Sequence, residues 1–352
     1  MSADWTDPSN PAPDDEPPFS NPNDVALGFT AYYEPLFAHK PSDSAARERC
    51  LSTLRVGSRV LPPTAAACGA PISTQEVYST CITSPLGKSP GPDALPNKFY
   101  RCFALLLAPI LATVFNAAHE SGAFHPSIVE GIISVLYKKG KRDDPRNYRP
   151  ITLLNCDYKL LMRILTVRMN TAVTQFVSPQ QNGFVPHGFI AENIMLLKLL
   201  QAYAEEKGIE AYFLFLDMEK AFDRASWEYL HAALRELGFD DSFLNYVTLA
   251  YSTDHPPTRQ LHVNGFLGPS FPILSGVAQG CPLSPLLFLA ITEAFTRLIV
   301  TDTHIHGILV NGVNHKISQF ADDSTLKLLP DDTPRAEAHI VTWCEASAMR
   351  EN

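Results

Sequence analysis

Six apolar residues, Ala211 to Leu216 (AYFLFL), run without a polar break into Asp217, and this stretch constrains the fold more than any other. An uninterrupted run of that length, rich in aromatics, predicts a strand buried on both faces. A strand that ends on a carboxylate delivers it to the rim of a sheet. Further along, Lys316 to Phe320 and Thr325 to Leu329 read as two strands joined by a turn at Ala321-Asp322-Asp323. A lone aspartate at a strand end is ordinarily a turn or cap residue. If these segments are neighbours in one antiparallel sheet, however, Asp217 and Asp322 come side by side at its tip. Crowded carboxylates repel unless divalent cations neutralise them. Oxygen-only donors select Mg2+ or Mn2+, and two such ions about 4 Å apart form the clamp used in phosphoryl and nucleotidyl transfer.

The chain has 352 residues, a length that favours two domains, and its 45% hydrophobic content is enough for a sizeable core. With 28 basic and 37 acidic residues it carries a formal charge of −9, so it is not a polycation that would coat nucleic acid. The charge is uneven. Lys138 to Arg168 holds nine basic and three acidic residues, which predicts that any phosphate binding is local to that segment. The seven cysteines are scattered and never spaced C-x-x-C, which excludes a disulfide framework and a structural zinc site. Met1 to Val25 holds six acids, six prolines and no basic residue, unlike a signal or transit peptide, and reads as a disordered acidic tail. The longest apolar run, Cys102 to Phe115, is broken by Pro109 and falls short of the ~18 residues a membrane span needs. These features predict an intracellular protein, nuclear or cytoplasmic, with no membrane partner.

Helices are expected over Asn23 to Phe37, Thr74 to Cys81, Tyr100 to Ser121 (stopped by Gly122), Asp157 to Phe176 (basic and amphipathic), Glu192 to Lys207 (stopped by Gly208), Ser226 to Leu237 and Pro285 to Val300. Gly131 to Tyr137 and Leu261 to Ile273 have β content, and Asn311-Gly312 marks a hairpin. Three familiar motifs are ruled out. Gly87-Lys88-Ser89 lacks the glycine five residues earlier, where Ile82 stands. His304 and His306 lack the helical spacing of a zinc protease, and no G-x-S-x-G elbow occurs.

LDMEKAFDRASWEYL (Leu216 to Leu230), SGVAQGCPLSPLLF (Ser275 to Phe288) and QFADDSTL (Gln319 to Leu326) occur in that order. Together they resemble the three palm motifs of reverse transcriptases of non-LTR, LINE-type retrotransposons. Upstream, SPGPDALPNKFY (Ser89 to Tyr100), VLYKKGKRDDPRNYRPITLLN (Val135 to Asn155) and QNGFVPHGFIAENI (Gln181 to Ile194) are similar to that family's finger motifs.

The resemblance implies an α+β fold, a right-hand polymerase core with a ferredoxin-like antiparallel palm sheet and helical fingers, the thumb absent. It implies RNA-directed DNA polymerase activity with two Mg2+ (or Mn2+) ions, an RNA template, a DNA primer and dNTPs, and possible association with other parts of a retrotransposon polyprotein. By the same resemblance Asp217 and Asp322 bind metal with the Met218 carbonyl, and Asp323 supports the site. Phe222 lies under the deoxyribose and excludes a ribose 2′-hydroxyl, though a core aromatic would fit the same position. Gln279-Gly280 packs on the incoming nucleotide, and Lys138, Lys139 and Arg149 hold its triphosphate. Residues 1–25 are then the tail, 26–118 a partly helical extension entering the fingers, and 119–352 the reverse transcriptase domain.

The departures from the family pattern are specific. Val185-Pro186-His187-Gly188 stands where V-P-G-R is usual, Ala278 where the palm motif has arginine, and Ala94 where glycine is usual. An alanine at position 94 is strained if that turn needs φ > 0. WCEASAMREN stops just before the family's next motif, which implies a C-terminally truncated fragment of impaired activity. The alternatives are a decayed, inactive copy that retains only nucleic-acid binding, an RNA-dependent RNA polymerase, and a splicing-assistance module.

Overall fold

The computed structural model describes residues 22–352, with side chains from residue 24 onward. The acidic tail expected over 1–25 therefore lies outside the described residues except at its end, where residues from Pro22 already belong to helix Pro22–Leu36. The chain divides into two compact units, each assembled from separate stretches of sequence. One comprises residues through His39, Pro71–Leu165 and Asn245–Ser284. The other comprises Lys40–Ala70, Thr166–Leu244 and Pro285–Asn352. The fold is mixed α and β.

In the first unit, strands β1 (Gly131–Tyr137) and β2 (Tyr148–Leu154) form an antiparallel hairpin with Gly131 opposite Leu154 and Tyr137 opposite Tyr148. A second hairpin joins Thr258–Val263 to Phe266–Pro272 through Asn264-Gly265, both residues at positive φ as such a tight turn requires. The first of these strands pairs in parallel with β1, completing a four-stranded sheet. Helix Pro22–Leu36 lies on the second hairpin, and its Phe29 meets Tyr148 edge to face at 5.0 Å. Instead of one helix over Tyr100 to Ser121 there are two, Asn97–Cys102 and Ala104–Ser121. The break is at Phe103, whose φ of −106° and ψ of 21° leave the helical region. Gly122 closes the second helix in the left-handed conformation.

The second unit contains a three-stranded antiparallel sheet. Numbering strands along the whole chain, β3 is Tyr212–Leu216, β4 and β5 are the hairpin at 258–272, and β6 (Ile308–Val310) and β7 (Val313–His315) form the Asn311-Gly312 hairpin. β8 (Ile317–Phe320) and β9 (Asp323–Leu328) complete the set, and the sheet order is β3-β9-β8. Helix Ser284–Thr301 is buried along nearly its whole length, and helix Thr333–Ser347 packs on Ser44–Val56 and Trp227–Glu236. Trp343 donates to the Ile291 carbonyl at 3.1 Å and stacks on Phe295. Ser226 caps Trp227–Glu236, as its position before the apolar repeat predicts, by accepting from the Tyr229 amide. Helices Ser44–Val56 and Pro62–Gly69 escaped the reading of the sequence. Their start signals are there, an Asp43 side chain that accepts from Ala46 and prolines in the first turn at 62 and 63.

Two expectations need correction. β3 is not buried on both faces: Phe215 is 62% exposed and Tyr212 48%. It is an edge strand of its sheet, and a run of apolar residues reports only the capacity for burial. Helix Cys156–Phe176 has an exposed stripe only in its second half, at Val167, Asn170, Thr171 and Thr174, and that stripe is not the basic face the sequence suggests. Its cations serve the protein itself. Lys159 donates to the Ser89 carbonyl, Arg163 to the Ser84 hydroxyl, and Arg168 to the carbonyls of Cys68 and Ala70. Among the described residues two helices, Ala104–Ser121 and Ser284–Thr301, are long and apolar enough to cross a membrane; the second is mostly buried in the protein.

Candidate active site

β3 and β9 pair antiparallel from Tyr212 opposite Leu328 to Leu216 opposite Ser324. One residue beyond the last pair, that register sets exposed Asp217 across from Asp323, the exposed first residue of β9. Asp322, half-buried, occupies the two-residue turn with Ala321 that joins β8 to β9. The three aspartates thus stand at one end of the sheet, with the backbone of Asp217 opposite Asp323 and Asp322 next to it in the turn. Among the described residues, no group of three His, Cys, Asp or Glu side chains forms a candidate metal cluster. The donors available are carboxylate and carbonyl oxygens, which suit a hard divalent cation.

Asp217 is also tied to the segment 350–352. The Asn352 side-chain amide donates to its carboxylate at 2.8 Å, and the Asn352 backbone N–H donates to its carbonyl at 3.0 Å. Met218 forms an isolated antiparallel bridge with Glu351. Phe222 follows in a short helix, Ala221–Arg224. It stacks on Phe288 with ring centroids 4.6 Å apart and meets Phe184 edge to face at 6.2 Å. It is half-buried, so it packs and still presents surface. Asp223 is buried in the same helix.

The remaining site residues lie in the first unit. Lys138 and Lys139 are exposed in the loop that connects β1 to β2, and exposed Arg149 on β2 pairs with Leu136 of β1. The hairpin end is held by its own bonds, from Tyr137 to the Gly140 carbonyl and from Lys138 N–H to the Asn147 carbonyl, while Arg142 lies over the Tyr137 ring at 4.8 Å. The Gln279 carbonyl accepts from Thr152 N–H at 2.8 Å. Gly280 has φ of +120°, and a Cβ there would collide with the Thr152 carbonyl, so only glycine fits. This contact fastens the 279–280 turn to the same strand that carries Arg149.

With Lys159, Arg163 and Arg168 engaged internally, exposed charge in the 138–168 segment concentrates on its first part. Replacing Lys138, Lys139 and Arg149 by alanine should weaken RNA binding and flatten its salt dependence by roughly 0.7 per lost phosphate contact. Fluorescence anisotropy across a salt series measures this; an unchanged slope would place the contact surface elsewhere.

Both departures from glycine fall on left-handed backbone: Ala94 has φ of 58° and His187 φ of 66°, and both are exposed. That conformation costs an L-residue about 1 kcal/mol or more, partly offset by the extra unfolded-state entropy of glycine. Ala94→Gly and His187→Gly should each stabilise by about 0.5 kcal/mol, visible as a rise of ~1–2 °C in thermal unfolding. The arginine of the family pattern has no room at position 188, where a Cβ would collide with the Asn182 carbonyl.

Residues 137–349, well over half of the chain, match the reverse transcriptase (RNA-dependent DNA polymerase) family, and the chain belongs to it. Within that family its relatives are proteins of non-LTR retrotransposons. It is 29% identical over 343 residues to the transposon TX1 uncharacterized 149 kDa protein of Xenopus laevis, a match covering 96% of this chain and 26% of that protein. It is 28% identical over 255 residues to the Pol polyprotein of the type-2 element R2DM of Drosophila melanogaster (72% and 23% covered). It is 28% identical over 260 residues to the RNA-directed DNA polymerase of the mobile element jockey of the same fly (72% and 27% covered). The chain therefore spans about a quarter of the length of these relatives.

Proposed function

We propose that this chain carries out RNA-templated DNA synthesis as the polymerase part of a non-LTR retrotransposon protein. The observation that supports the reading is the β3–β9 register, which sets the backbone of Asp217 opposite Asp323 and beside the turn that carries Asp322, in a member of the reverse transcriptase family. In this reading the β3-β9-β8 sheet and its helices form a ferredoxin-like palm, and the β1–β2 hairpin belongs to the fingers. The reverse transcriptase domain runs from 119 to 352, with 26–118 as its N-terminal extension.

The reaction joins a primer 3′-hydroxyl to the α-phosphate of a dNTP and releases pyrophosphate. Asp217, Asp322 and the Met218 carbonyl would hold two Mg2+ or Mn2+ ions, which neutralise charge on the attacking and leaving oxygens. Asp323 supports that set. Lys138, Lys139 and Arg149 bind the triphosphate electrostatically, and Gln279-Gly280 offers a side-chain-free approach to the base pair. Phe222 closes the space a 2′-hydroxyl would need. RNA template, DNA primer and dNTPs are the partners, together with other parts of a polyprotein, inside the cell.

Extension of a DNA primer on an RNA template in Mg2+ tests the reading. The wild-type chain should add dNTPs, and Asp217→Asn or Asp322→Asn should lower the rate by about 10^2–10^3-fold or more. No incorporation by the wild type would favour the decayed-copy alternative. In the same assay Phe222→Val should raise ribonucleotide use relative to dNTP by about tenfold or more, the scale of a lost steric contact. An unchanged preference would leave Phe222 with packing alone.

A further inference from the structure

The turn that carries Asp322 is built on a strained residue and held by a side chain from elsewhere in the sequence. Ala321, immediately before Asp322, has φ of 60° without being glycine. Gln181, 3% exposed, reaches it from 140 residues away. The Gln181 Oε1 accepts from the Ala321 N–H at 2.8 Å and from the Gly183 N–H at 2.8 Å, while its Nε2 donates to the Ala321 carbonyl at 3.2 Å. That carbonyl belongs to the Ala321–Asp322 peptide, so the amide holds the plane from which Asp322 projects. The pattern of two N–H donors on one side and a carbonyl on the other also fixes which way the amide lies.

The surroundings are built to keep this amide in place. Gln181 forms an isolated parallel bridge with Gln319, with Asn182 N–H donating to the Gln319 carbonyl at 2.9 Å and Gln319 N–H to the Gln180 carbonyl at 2.8 Å. Gly183 must be glycine, because a Cβ there would collide with the Ala321 amide nitrogen. Buried Gln319 extends the network by accepting from Thr296 and donating to Ser324 at 3.0 Å. A left-handed alanine costs about 1 kcal/mol or more, and it persists where surrounding structure over-determines it. Here that structure is one amide with three bonds.

We propose that Gln181 is a positioning residue for the Asp322 turn, holding the Ala321–Asp322 peptide in the orientation in which Asp322 can share a divalent cation with Asp217. The metal part of this rests on the function proposed above; the clamp itself does not.

Two measurements on the full 352-residue chain separate them. Hydrogen exchange reads the clamp directly. Gln181→Met keeps the length of the side chain and loses all three bonds; Gln181→Glu keeps the acceptor and loses the bond to the Ala321 carbonyl. Both should speed exchange over residues 320–324 at least tenfold and leave the β6–β7 hairpin unchanged. Should Gln181→Met not fold, Gln181→Glu carries the test. Protection at 320–324 equal to wild type in a folded variant would overturn the clamp.

Mn2+ titration followed by electron paramagnetic resonance reads the consequence. Asp322→Asn should lose most of the affinity, and Gln181→Met should weaken it about tenfold. If Asp322→Asn weakens Mn2+ binding and Gln181→Met does not, the positioning role is wrong. If Asp322→Asn itself leaves the affinity unchanged, the metal reading and the positioning role fall together, and hydrogen exchange still decides the clamp.

Discussion

Arg297→Ala should cost about 3–5 kcal/mol of stability, enough to unfold a marginal unit, because it strands a buried carboxylate. Arg297 and Glu293 stand one turn apart on helix Ser284–Thr301, with side chains only 6% and 1% exposed, and their ion pair is 2.7 Å. The guanidinium uses its remaining N–H groups on three carbonyls, Leu54 at 3.2 Å and Ser58 and Phe176 at 2.7 Å. Glu293 accepts from both the amide and the hydroxyl of Ser178, at 3.0 and 2.6 Å. Five donors in a planar fork suit this set, and a lysine could not replace them. The pair thus ties residues 54–58 and 176–178 to the central helix. Gly57 passes so close that a Cβ would collide with the guanidinium. Urea unfolding should show the loss as a lower midpoint at unchanged slope. Replacing both partners, Glu293→Gln with Arg297→Met, should recover much of it, since no charge is then left buried. An Arg297→Ala protein with the wild-type midpoint would contradict this account of the clamp.

Lys327→Met should act in the opposite direction, stabilising the protein by about 3 kcal/mol at pH 7. Lys327 lies on β9 between Leu326 and Leu328 with no exposed surface, and its Nζ has no hydrogen-bond partner among the described residues. Burial pushes its ammonium down to about 7 from the usual 10.5. The unfolded chain holds that proton up to about pH 10.4, so between roughly pH 7 and 10 the unfolded state binds more protons than the folded one. Stability should therefore rise with pH across that window, by about 3–5 kcal/mol in total. The destabilisation is fully present below pH 7 and relieved above pH 10. In Lys327→Met this rise should vanish. A wild-type protein whose urea midpoint does not increase from pH 7 to 9.5, relative to Lys327→Met, would mean that the ammonium finds solvent or a partner.

What the sequence revealed and what it concealed divide along physical lines. Local chemistry was legible. The glycines at 122, 208 and 238 stand at positive φ at or just beyond helix ends, Ser226 caps its helix, and Asn311-Gly312 turns its hairpin. The apolar run into Asp217 is a strand, although Asp323 begins β9 where a turn residue was expected. Long-range pairing was not legible. Nothing near Arg297 announces carbonyls at 54, 58 and 176, and nothing near Lys327 shows that its strand position is closed to water. Gln181 lies in a motif that stood out, yet its task depends on meeting Ala321, which no local pattern encodes. Exposure of Phe215 was missed for the same reason, since composition sets what can be buried and neighbours set what is.

The most direct test of the central claim is to locate the cation. Crystals of the wild-type chain soaked in Mn2+ should give an anomalous difference peak bridging the carboxylates of Asp217 and Asp322, lost in the Asp217→Asn, Asp322→Asn double variant. A strongest peak away from this sheet end, or one that persists unchanged in the double variant, would contradict it.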